Sequence, residues 1–221
     1  MRIYHLIKYS RYVLTTVCLN LKLKCKLSAK APFFPIIATS KIRLYRERNA
    51  IIEYDAGSYI RLGYSGSGIA AFEYTGVNLE LHDSAILRLH GTSLIGYGCS
   101  LCVYPNAVLE IGSGTYLAAN SVIKCLKRVC IGSDCAISWN VTILDSDFHP
   151  WSLNGQERNI SKDVLIGDHV WIGNGAMILK GVTIGSGSII AAGSIVTKDI
   201  PPHCLAAGNP ARVIQDGVSW R

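Results

Sequence analysis

A parallel β-helix, an all-β prism of stacked coils, is the fold predicted for this 221-residue chain. Three observations predict it. From position 166 every sixth residue is aliphatic: Ile166, Ile172, Ile178, Ile184, Ile190 and Val196. The residue after it is often small, as at Gly167, Gly173, Gly185 and Ala191. The chain is also rich in glycine, with 21 residues, most of them after position 56. A six-residue period is neither helical nor the alternation of one long strand. Each hexad points two residues inward and then turns a corner, where a small residue eases the bend. Three sides close a coil of about 18 residues, and coils stack about 4.8 Å apart through parallel ladders. The second inward position falls at Val170, Ala176, Val182, Ser188, Ser194 and Ile200.

Taken along the chain, residues 1–48 form a basic extension without a clear repeat. They hold 11 of the 22 Lys and Arg residues and one acid, Glu47. The remainder is slightly acidic, which disfavours a uniform nucleic-acid-binding surface. Two short amphipathic helices ending before Pro32 are expected here. Their role is either to cap the open ladder edge of the solenoid or to contact an anionic membrane surface. The apolar run from Tyr12 to Leu21 is too short to span a bilayer, and no convincing secretory cleavage site follows it.

The solenoid is expected over 49–215, with 216–221 as a tail. Ile95-Gly96 and Leu101-Cys102 mark early turns. Ile111, Leu117 and Ile123 continue the frame, and Ile131, Ile137 and Ile143 resume it two residues late, so a bulge is expected between 124 and 130. The repeat stops at Pro201-Pro202. With 49% hydrophobic and 17% charged residues, the chain can bury a substantial core. Its eight cysteines include one C-x-x-C, Cys99 and Cys102, without a second pair or a histidine at zinc spacing. They read as small fillers in a reducing cytoplasm.

Residues 144–165 interrupt the repeat with a polar stretch that contains Pro150, Asn154-Gly155 and His149. A solenoid tolerates insertions at its corners, and such loops often carry function.

Together the hexads, Ile143–Pro150 (ILDSDFHP), Val170–Gly173 (VWIG) and Gly185–Arg212 (GSGSIIAAGSIVTKDIPPHCLAAGNPAR) resemble the hexapeptide-repeat acyltransferases, notably galactoside, maltose and surface-polysaccharide O-acetyltransferases. The resemblance covers about residues 95–215. It implies a left-handed coil, a homotrimer, and acetyl-CoA as co-substrate in a groove between subunits, with no metal required. It implies His149 as the catalytic base and the Asn174 amide as the oxyanion donor. A base suits the chemistry, because a sugar hydroxyl attacks a thioester only as its proton leaves. The ring of His149 could be oriented by Asp145, by Asp147 or by a backbone carbonyl. Trp139 and Asn140 either line the acceptor pocket or are outward corners. The cofactor residues implied are Trp171, Gly175, Ala192, Gly193, Thr197, Lys198 and Arg212, the last two as phosphate partners. The family's second arginine falls at Gln215, which puts one phosphate contact in doubt.

The expected function is acetyl transfer from acetyl-CoA to a saccharide hydroxyl in cell-surface glycan synthesis, in the cytoplasm or at the inner membrane face. Alternatives are amino-sugar N-acetylation, a zinc enzyme of the carbonic-anhydrase type, and a non-catalytic scaffold. His5, His82, His90, His169 and His203 read as surface or satisfied histidines.

Overall fold

The computed structural model describes residues 12–23, 35–55, 57–64 and 76–221. It is a three-sided left-handed β-helix. Its faces are parallel sheets of nine, seven and six strands, apart from a final antiparallel hairpin of Leu205–Gly208 with Ala211–Gln215. Each coil contributes one strand to each face. In the first sheet the register runs Ile95, Leu117, Ile137, Ile172, Ile190. Successive coils therefore take 22, 20, 35 and 18 residues. Only the last reaches the ideal length, and the long one contains the inserted loop.

All six aliphatics of the late repeat, and all six of its second inward positions, are buried. Full burial of such a side chain contributes about 1.5–3 kcal/mol, so the columns of like residues form one continuous core. Cysteines 99, 135 and 204 occupy the same kind of inward position. Their thiols donate to backbone carbonyls, and burial pushes the Cys99 thiol up to about 12. The seven described cysteines are free; Cys25 lies outside the described residues.

The expected role of glycine at the corner divides in two. Glycine after the aliphatic residue is required by close approach between coils: a Cβ at Gly173 would lie 2.6 Å from the Ala192 nitrogen. The corner itself lies two residues further on. There Asn120, Asn140, Gly175 and Gly193 stack with φ between 59° and 69°, a conformation that asparagine and glycine tolerate best.

Among the described residues the sheets extend back before the expected start at 49, since Ile36–Ala38 and Ile42–Arg46 already pair in them. Arg43 there faces outward, while half-buried Arg46 shares the face of Ile42 and Leu44 and donates to the Ala50 carbonyl at 2.7 Å, so the charges obscure the alternation. One helix, α1 (Val13–Lys22), lies against the open edge of Ile36–Ala38. Buried Asn20 accepts from the Ile36 amide at 3.2 Å and donates to its carbonyl at 2.6 Å, while the Ala38 amide donates to Thr16 Oγ1 at 3.0 Å. The otherwise unpaired edge is thereby satisfied by side chains. The second expected helix and six basic residues of the extension lie outside the described residues.

On the third sheet, His90 bridges Asp55 at 2.8 Å and Glu110 at 3.1 Å. Its hydrogen bond to the Asp55 carboxylate, which accepts from the ring, chiefly raises its pKa.

Replacing Asn20 with alanine orphans two backbone groups and is expected to cost about 1–3 kcal/mol in denaturant unfolding. Because the folded pKa of His90 is raised, its contribution should be complete below about pH 6.5 and fade as pH rises through the raised value. A stability profile of His90→Gln should lack that decline.

Candidate active site

An apolar groove of about 700 Å³ runs along the nine-stranded sheet. Its floor is an outward column in register, Tyr116, Ala136, Trp171, Ile189 and Leu205. Ser138, Trp139, Gly173, Asn174, Ala191 and Ala192 form the adjoining corner. The small residues leave a trench between the two indoles. Trp171 is held across it by donation from Nε1 to Ser138 Oγ at 3.3 Å. Trp171 and Trp139 are 41% and 36% exposed, enough to offer apolar surface to a ligand.

Asn174 donates through its side chain to the Trp139 carbonyl at 3.1 Å, and its own carbonyl accepts from Gly193 at 2.8 Å. Its amide has no acceptor among the described residues. The equivalent amides of Trp139 and Ala192 are also free. The corner geometry leaves one N–H open in each coil, so a free donor is present but not unique to Asn174.

His149 lies on the inserted loop and is exposed. The arm of that loop is a short hairpin, Ser152–Leu153 with Gln156–Glu157, turned by Asn154-Gly155, both at positive φ. Its Trp151 and Leu153 are exposed. The imidazole of His149 makes no hydrogen bond among the described residues, and His149 does not line the groove.

Neither aspartate orients that ring. Asp145 is fully buried, and its carboxylate accepts from the amides of Leu126, Lys127 and Arg128 at 2.7–2.8 Å. It secures the expected bulge, where the chain steps from Val122–Cys125 to Arg128–Ile131. A backbone needing three acceptors took the carboxylate that the sequence offered to His149. Asp147 instead accepts from Trp151 Nε1 at 2.8 Å and pairs with Lys180. Partial burial works to raise its pKa, but Lys180 and Trp151 prevail and hold the carboxyl below its ordinary value.

Of the remaining expected residues, Trp171, Ala192 and Trp139 line the groove. Gly175 and Gly193 are at the neighbouring corner with open space where a Cβ would stand. Asn140 is an outward corner residue. Thr197 and Lys198 are exposed beyond Ile195–Val196, and Arg212 is exposed on the final hairpin. Lys198 and Arg212 have no ion-pair partner among the described residues. Among the described residues, no three metal-ligating side chains converge.

A model of the bacterial transferase hexapeptide (six repeats) matches residues 163–198. The polySia-specific acetyltransferase NeuO superimposes with a TM-score of 0.68 at 30% identity, over 84% of this chain and 81% of its own. The chain belongs to the hexapeptide-repeat acetyltransferases. A stretch of 112 residues is 45% identical to the polysialic acid O-acetyltransferase of Escherichia coli O1:K1 / APEC, covering 50% of this chain and 35% of that protein. Another, of 110 residues, is 44% identical to the galactoside O-acetyltransferase of Escherichia coli (strain K12), covering 49% of this chain and 54% of that one. The chain thus spans about a third to a half of the length of these curated relatives.

This hexapeptide-repeat chain also carries groove residues that the sequence reading passed over. Trp220 and Arg221 line the groove from the tail. Trp220 stacks on His169 with centroids 4.1 Å apart, and its Nε1 donates to the His169 carbonyl at 2.9 Å. A tryptophan in a short tail with only one other apolar side chain, Val218, was the available signal.

Asp145→Ala should lower stability by about 2–4 kcal/mol, since three part-buried amides lose their acceptor. Thermal melting checks this, and the pH dependence of turnover in the surviving folded protein should match that of the parent.

Proposed function

We propose that the chain transfers an acetyl group from acetyl-CoA to a hydroxyl of a saccharide, with His149 as general base. The observation that carries this reading is the superposition on an acetyltransferase across 84% of the chain. Relatives named for polysialic acid and galactoside O-acetylation favour an oxygen over a nitrogen acceptor, and a surface glycan as the larger substrate.

The groove fits the co-substrate. A slender pantetheine arm needs a long apolar trench kept open by small residues, and Ala136, Gly173, Ala191 and Ala192 leave that space beside the two indoles. Lys198 and Arg212 are unpaired cations suited to phosphates. Bound acetyl-CoA would bring a thioester carbonyl as electrophile. His149 then removes the acceptor's hydroxyl proton at a ring nitrogen. The Asn174 amide is the donor toward which negative charge develops. No covalent acyl-enzyme is required.

The working unit in this reading is a homotrimer. His149 and the groove lie on different parts of one chain, so the base of one copy would meet the groove of the next. The exposed Trp151 and Leu153 on the hairpin arm suit such a contact. No described helix is long and apolar enough to cross a membrane. A cytoplasmic enzyme acting on nascent glycan, with basic residues 1–48 toward anionic lipid, accords with the charge distribution.

Release of CoA from acetyl-CoA, measured with sialic acid polymers, galactosides and amino sugars as acceptors, tests the proposal. Acceptor-dependent release should fall about 10²–10⁴-fold in His149→Ala. Equal release by both proteins would remove His149 as base. Absence of acetyl-CoA binding would leave a non-catalytic scaffold.

A further inference from the structure

Four rings from different coils form a ladder along one corner of the prism. Tyr45 lies 5.1 Å from His82, His82 stacks on Tyr104 at 5.2 Å and 7°, and Tyr104 meets Phe148 at 5.4 Å. The foot is fixed by Glu47, which accepts from Tyr45 Oη at 2.6 Å and from the Asp83 amide at 2.7 Å, and lies 3.3 Å from His82 Nδ1. The next rung in register above Tyr104 would fall at Leu126, since Val103 pairs with Cys125. Phe148 takes that place instead, folding back from the loop of the following coil. The Lys124 ammonium stands 5.7 Å from its ring centroid and holds the other side.

Phe148 pays for this place in its backbone. Its φ is 61°, a region that bulky residues avoid. Its amide donates to Ser146 Oγ at 2.9 Å, and the Asp147 amide donates to the Ile160 carbonyl at 2.8 Å. Backbone preference alone would place glycine or asparagine there, as at Gly175 and Asn140. A phenylalanine in that conformation marks a position where ring contacts override local preference. The next residue is His149, whose own ring has no partner among the described residues. With neither aspartate bonded to it, the direction of His149 from the backbone depends on how the Phe148–His149 peptide is held.

We infer that Phe148, seated on Tyr104, is the positioning residue for His149, and that the ring ladder transmits the rigidity of the early coils to the catalytic loop. This rests on the reading of His149 as base.

The experiment compares Phe148→Gly, Tyr104→Ala, Tyr104→Phe and His149→Ala in the full chain, by acetyl-CoA turnover with the active acceptor and by thermal melting. Glycine removes the ring and relieves the backbone together, so Phe148→Gly should leave Tm close to that of the parent. Its kcat should nevertheless fall about 10²-fold, the effect of a displacement of about 1 Å at a reacting group, with KM for acetyl-CoA unchanged. Tyr104→Ala should lower kcat in the same sense, and Tyr104→Phe, which keeps the ring, should restore it. Parental kcat in Phe148→Gly while His149→Ala is inactive would overturn the positioning role and leave the base in place. Loss of kcat only in step with loss of Tm would also overturn it, since the ring would then be merely structural. Full turnover in His149→Ala would overturn both readings.

Discussion

The parallel ladder between coils constrains everything else in this chain. Each inner aliphatic must sit over its counterpart one coil away, as Ile137, Ile172 and Ile190 do. The backbones are then close enough that even a methyl group on Gly173 would strike the next coil. Register, small residues and core columns are therefore one requirement seen from three sides. The ladder also creates the need for an end piece, because the first strand has an edge that no other strand pairs with among the described residues. Helix α1 meets it with Asn20 and Thr16, whose side chains imitate the missing strand.

Fixed register leaves the corners freest to vary, and the proposed base is carried there. Coils of 20 and 22 residues extrude small bulges, while the 35-residue coil extrudes the loop that carries His149. An extruded segment exposes backbone groups that the ladder no longer satisfies. Asp145 answers that need with three amide contacts, and its burial ties the root of the loop to the preceding bulge. The root of the loop is thereby anchored, and His149, four residues on, is exposed to solvent. The groove follows the same economy: an outward column of the first sheet needs only small residues beside Trp171 to become a trench.

Much of this was legible in the chain itself. The hexads located the core without error from Ile166 to Val196, and the two-residue offset announced the bulge before Arg128. Motif order carried the family. The start of the solenoid was not legible, because Arg43 and Arg46 interleave with Ile42 and Leu44 and read as a charged extension. The partner of Asp145 was not legible either. Sequence proximity suggested His149, whereas a coil brings residues about twenty positions apart into contact.

The sequence by itself determined the periodic quantities: the inward columns of the late coils, the insertion and the histidine it bears. These follow from local preference repeated at a fixed interval, which no distant contact can disguise. Only the tertiary structure decided what lies across a coil or returns from a chain end. Trp220 on His169, Asn20 on Ile36 and Phe148 on Tyr104 join residues with no shared period. Such pairs exist because stacking fixes the distance between surfaces, and that distance is a property of the folded prism and not of any segment within it.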